Sequence, residues 1–122
     1  MSVAILWDIE NIPPASKVGL IKSIYDECSK YGRITNAMAF NDWNAEHSKS
    51  CGLELSLCNF ELINVPHINK KNDVDISIII HTVELLFNYP HINTFALVSS
   101  DSDFIQLISL LKKHGKKNNN YL

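Results

Sequence analysis

Short apolar runs alternate along this chain with longer segments whose apolar residues recur at helical spacing. Val3-Ala4-Ile5-Leu6-Trp7 is apolar without interruption, as expected of a central parallel strand covered on both faces. Arg33 to Phe40 predicts a second strand, Phe60 to Val65 a third closed by Pro66, and Phe95 to Val98 a fourth. Between the first two, Val18, Ile21, Ile24, Tyr25 and Cys28 predict a helix from Pro14 to Tyr31, with Gly32 as its stop. Residues 45–58 carry a weaker helical pattern. Asp73 to about Phe87 predicts a third helix, and the segment from Asp101 through Leu111 a fourth. Strands alternating with helices imply right-handed crossovers and a mainly parallel sheet of at least four strands, an α/β fold in three α/β/α layers. The polar segment from His114 to Leu122 is expected to fray, which places the domain at residues 1–115 and a tail at 116–122.

The acidic residues fall where this pattern puts strand ends and helix starts. Asp8 directly follows the first strand, where a lone carboxylate is costly unless it is paired, hydrogen-bonded or on a metal. A turn residue bonding the next amides is an equal reading of Asp8 alone, and Asn11 alone suits a helix cap. Asp101-Ser102-Asp103 follows the fourth strand after Ser99 and Ser100. A cap explains one of those two acids and leaves the other in need of a partner. At about 100° per residue, Asp75 shares the side of its helix with Ile79, Thr82, Val83 and Leu86. Ser77, His81 and Glu84 project to the other, wet side. An acid on an apolar stripe needs a reason, and the first-turn amides supply only part of one.

Three separate places thus bring acids to one edge of the sheet. A hard divalent cation held by oxygens is the simplest cause that tolerates such like charges together. No Cys/His set has zinc spacing, and no GxxxxGK[ST] or GxGxxG motif is present. Ser99 and Ser100 lack the glycines of a nucleophile elbow. The five histidines scatter through loops and polar faces and are read as surface residues.

Composition narrows the setting. The 122 residues suit one domain, and a hydrophobic fraction of 46% with 20% charged residues is ordinary for a globular protein. No apolar run nears the roughly 20 residues of a membrane span, so no membrane association is expected. Three cysteines without metal spacing predict reduced thiols and a cytoplasmic location. The net charge of −2 does not advertise a polyanion partner. Setting aside Asp8, Asp73, Asp75, Asp101 and Asp103 leaves 8 of the 13 acids against 11 basic residues, several of them clustered at Lys70-Lys71 and Lys112 to Lys117. The remaining surface permits a polyanion partner without demanding one.

The segments Trp7-Asp8-Ile9-Glu10-Asn11, Lys71-Asn72-Asp73-Val74-Asp75-Ile76 and Leu97-Val98-Ser99-Ser100-Asp101-Ser102-Asp103-Phe104 together resemble the NYN domains, PIN-like ribonuclease domains of the LabA kind. The resemblance spans about residues 3–115. It implies metal-dependent endonucleolytic hydrolysis of single-stranded RNA, with Mg²⁺ or Mn²⁺ held by the catalytic acids Asp8, Asp75, Asp101 and Asp103. Asn11 would steady the first acid or contact substrate. In that mechanism Ser99 or Ser100 would bond a phosphate oxygen, while Lys70, Lys71 and the later lysine cluster would guide the RNA backbone. The chain departs from the family at His81, where a further Asp is frequent, and at Ser100, where Gly is usual. It also departs after Lys116, where another strand and helix are expected instead of Asn118-Asn119-Asn120. That departure suggests a shortened domain whose uncovered sheet edge a partner chain could close as a homodimer. The alternative is a module of this fold that binds RNA or protein but cuts poorly. A weaker third reading is a metal-dependent phosphoesterase with another substrate.

Overall fold

Residues 1–44, 49–66 and 73–121 are described in a computed structural model of the chain. They form β1 (Ser2–Asp8), α1 (Leu20–Ser29), β2 (Arg33–Asn41), α2 (Lys49–Leu57), β3 (Glu61–Asn64), α3 (Asp73–Asn88), β4 (Ile92–Val98), α4 (Ile105–Lys113) and β5 (Lys117–Tyr121). The sheet is parallel throughout, in the order β3-β2-β1-β4-β5. The expected three-layer α/β/α sandwich is therefore present, with five strands.

The uninterrupted apolar run of β1 is explained by its central place. Ala4 and Leu6 join α3 and α4 residues such as Ile78, Leu85, Leu107 and Leu111 in one buried cluster. Val3, Ile5 and Trp7 alternate to the opposite face and join Ile21, Ile24, Cys28 and Leu55 of α1 and α2. Chain order runs outward from β1 through β2 to β3, then returns to the other side of β1 for β4. The carboxyl ends of β1 and β4 thus flank the point where the direction of winding reverses, the usual ligand crevice of an open α/β sheet. In register, Trp7 pairs with Val98 and Asp8 with Phe40, which sets Asp8 and Ser99 at the same edge.

Three expectations change. The helix placed from Pro14 to Tyr31 is a 3-10 turn at Pro14–Ser16 followed by α1 from Leu20. Gly19, at φ 75°, occupies the left-handed region at the start of α1, a conformation that interrupts a continuous helix. Val18 consequently lies outside the helix and is fully exposed, whereas Ile21, Ile24 and Cys28 are buried.

The polar segment expected to fray is instead β5, paired with β4 from Thr94↔Lys117 to Val98↔Tyr121. Gly115 at φ 74° ends α4 and turns the chain into it. Strand pairing here is a backbone matter: the Asn run contributes main-chain donors and acceptors to an edge position, where a low strand propensity is tolerated. The further strand thought to be missing after Lys116 is therefore present.

The buried stripe of α3 is Val74, Asp75, Ile78, Thr82, Leu85 and Leu86. It is rotated from the projected one, so that His81 is half-buried rather than on a wet face. Its ring stands edge-on to Phe40 at 5.1 Å, and its Nδ1 lies 2.8 Å from the Ser77 carbonyl oxygen.

Candidate active site

The four acids reach the crevice from three places in the fold. Asp8 is the last residue of β1 and only 4% exposed. Its backbone continues into a turn in which the Ile12 N–H donates to the Asp8 carbonyl at 3.0 Å, and the indole Nε1 of Trp7 donates to the Ile12 carbonyl at 2.8 Å. That turn carries Asn11 to the mouth of the crevice. Asp75 enters from the first turn of α3 and is 8% exposed. Asp101 and Asp103 come from the loop after β4. There the Asp101 carboxylate caps a 3-10 turn, Ser102–Phe104, by accepting the Asp103 N–H at 2.9 Å. The cap reading therefore holds for Asp101, and Asp103 is the acid left over.

The structure brings Asp75, Asp101 and Asp103 together: one carboxylate oxygen from each lies within 4.8 Å of the others. Asp8 stands beside this triad and is linked to it through Ser99. The Ser99 hydroxyl donates to Asp8 Oδ2 at 3.3 Å and accepts the Asp101 N–H at 3.2 Å. Asn11 Oδ1 accepts from both the N–H (3.1 Å) and the hydroxyl of Ser100, tying the β1 loop to the β4 loop. Ser99 and Ser100 thus hold the two acid-bearing loops together, and Asn11 bridges loops rather than capping a helix. Lys70 and Lys71 lie outside the described residues.

The lysines near the C-terminus are described, and they lie elsewhere. Lys112 and Lys113 end α4 and Lys117 begins β5, at the amino edge of the sheet. The seven residues of β4 separate that edge from the acids by about 20 Å. They cannot guide a phosphate held at the acid triad, contrary to the expectation from clustering along the chain.

The electrostatics record crowding of like charge. Burial pushes Asp8 up from 3.8 to about 6, opposed by the Asn11 N–H and the Ser99 hydroxyl and reinforced by Glu10 and Asp101. Asp75 is pushed to about 7, first by burial, then by its hydrogen bond and charge interaction with Asp101, then by Asp8 and Asp103. Glu10 had no assigned role in the sequence reading, yet it adds to the field at Asp8; its position two residues past a strand end was the available signal.

This donor set suits a hard cation. It is all oxygen, drawn from three converging carboxylates, and a positive ion would relieve the repulsion that raises Asp75. Among the described residues no Cys or His joins the group, which fits magnesium-like rather than zinc-like coordination. No helix among the described residues is long and apolar enough to cross a membrane.

No curated protein matches the chain. Among solved structures, a protein of unknown function from Vibrio parahaemolyticus is similar at a TM-score of 0.79 and 21% identity, the match covering 98% of this chain and 80% of that one. That likeness speaks for the fold. A model of the NYN domain matches residues 2–122, a span that includes β5 and every acid of the crevice. The chain belongs to the NYN domain family of PIN-like nucleases.

Proposed function

We propose that this protein is a metal-dependent endoribonuclease that hydrolyses phosphodiester bonds of single-stranded RNA. The observation that carries the reading is the convergence of Asp75, Asp101 and Asp103 within 4.8 Å, with buried Asp8 behind them, at the switch point of a nuclease-family fold. Asp75, Asp101 and Asp103, with Asp8, would hold one or two divalent ions, Mg²⁺ or Mn²⁺. When bound, such an ion supplies Lewis acidity at phosphorus and lowers the pKa of a nearby water.

The chain's own residues do the positioning. Ser99 fixes Asp8 relative to the Asp101 backbone, and Asn11 with Ser100 locks the two loops that frame the opening. The exposed Asp103 and half-buried Asp101 leave the triad accessible to a phosphate from solvent, while Asp8, at the end of β1, is buried. Ser100, exposed beside the acids and donating to Asn11, would donate instead to a phosphate oxygen of bound RNA. Lys70 and Lys71, five and four positions before Asp75, are proposed to guide the backbone.

Purified protein is tested on labelled single-stranded RNA with Mn²⁺ or Mg²⁺, beside Asp101→Asn and Asp8→Asn. Internal cleavage that requires the ion and is lost in both variants is the expected result. RNA binding that persists under chelation, with no cleavage in Mn²⁺, would instead identify a binding module. Preferential hydrolysis of a small phosphoester would identify a different phosphoesterase.

A further inference from the structure

The basic residues that the acid site does not use gather at the opposite edge of the sheet, and they are not alone there. Lys112, Lys113 and Lys117 are exposed, and Lys116 Nζ donates to the Pro90 carbonyl at 3.0 Å, joining the α4–β5 connection to the α3–β4 connection. The last turn of α3 and that second connection each carry an aromatic ring into solvent, Phe87 at 58% and Tyr89 at 44% exposure. Each stands edge-to-face with a histidine: Phe87 with His114 at 5.1 Å and Tyr89 with His91 at 6.0 Å. No acidic residue occurs from Leu85 to Val98 or from Ile105 to Tyr121.

An exposed Phe or Tyr by itself needs no explanation. Two of them near Lys112, Lys113 and Lys116, with Lys117 at the same edge holding its Nζ 4.3 Å over the Tyr31 ring and no carboxylate in either segment, form the combination that grips single-stranded nucleic acid. The cations follow the phosphates and the ring faces accept bases. An anionic membrane would also attract the lysines. The rings, however, are braced by polar histidines and form no continuous apolar wedge of the kind that enters a bilayer.

We propose that the amino edge of the sheet is a second docking surface for single-stranded RNA. Phe87 and Tyr89 offer stacking faces, and Lys112, Lys113, Lys116 and Lys117 meet the phosphates. The choice of RNA over other single strands rests on the function proposed above. The surface would anchor a transcript about 20 Å from the acids, so that an RNA long enough to reach both edges is held while it is cut.

The test is fluorescence anisotropy of labelled single-stranded RNA in excess chelator, which silences cleavage and leaves the acids repelling the strand. Wild-type protein is expected to bind. A Lys112→Gln/Lys113→Gln/Lys117→Gln variant should lose about two from the slope of log affinity against log salt, given roughly 0.7 per phosphate contact. Phe87→Ser should weaken binding roughly tenfold, and Lys22→Gln, on α1, should change nothing. Thermal melts establish that each variant is folded. Photocrosslinking of thiouridine-containing RNA to the wild type gives a second reading that needs no variant, with adducts expected near Phe87 and Tyr89. Wild-type affinity in a folded triple variant, adducts confined to residues 8–11 and 99–103, or binding to phosphatidylserine vesicles without binding to RNA would each overturn the proposal. Cleavage by the Asp101→Asn protein is a separate measurement, so either proposal can fail alone.

Discussion

The hydroxyl of Ser99 donates to Asp8 Oδ2 at 3.3 Å across 91 positions of sequence, while accepting the Asp101 N–H at 3.2 Å. One side chain at the end of β4 therefore aligns the acid of β1 with the acid loop of β4. Ser99→Ala should push Asp8 above its value of about 6, because a donor to the charged form is gone. It should also cost about 1 kcal/mol of stability at neutral pH. Carboxyl NMR titration of Asp8 checks the first, and an unchanged midpoint would contradict it.

Burial and like charge set the sign of the pH dependence. Asp8 at about 6 and Asp75 at about 7 are both above 3.8, so the folded chain binds these protons more tightly than the unfolded one. Their stabilising contribution is complete below about pH 4 and is lost as pH rises to about 7. For Asp8 the loss is of the order of 3 kcal/mol. Urea unfolding in chelator across this window should show this component falling with pH and shrinking in Asp75→Asn. A curve that Asp75→Asn leaves unaltered would count against the crowding.

Asp75→Asn separates stability from ion binding. Neutralising the buried acid should raise the melting temperature of chelated protein at pH 8, since the charge it removes is opposed by Asp101, Asp8 and Asp103. It should also abolish the stabilisation by Mn²⁺, which for a single site at a hundredfold excess over Kd is about 2.7 kcal/mol. Calorimetry with and without Mn²⁺ reads both, and a variant still stabilised like the wild type would exclude Asp75 from the ion site.

Trp7 links the core to the loop that carries Asn11. Its ring is fully buried, 5.8 Å edge-on to Phe60, and its Nε1 holds the Ile12 carbonyl. Trp7→Phe keeps an aromatic in place but strands that carbonyl, at a cost of about 1–3 kcal/mol. Hydrogen exchange at the Asn11 and Ile12 amides should accelerate more than at the β1 amides, and uniform acceleration would argue against a local role.

The sheet and the acids were legible in the sequence for physical reasons. A strand buried on both faces must be apolar throughout, as Val3 to Trp7 is, and an acid on an apolar stripe, as Asp75 is, must answer to something outside its own helix. What escaped was set by backbone and distance. The break at Gly19 depends on a φ that apolar spacing does not report. Strand β5 is specified by main-chain pairing beneath a run of asparagines. The lysines of α4 and β5 look like part of the site along the chain because only the strand direction reveals that α4 carries them to the far edge.

One ion shared among Asp75, Asp101 and Asp103 underlies the proposed chemistry. The most direct measurement is Mn²⁺ titration by electron paramagnetic resonance of the wild type and Asp101→Asn, run on the samples used for RNA cleavage. Saturable binding and internal RNA cleavage in the wild type, both lost in a folded Asp101→Asn protein, are predicted. Wild-type Mn²⁺ affinity or undiminished cleavage in that variant would contradict the shared site.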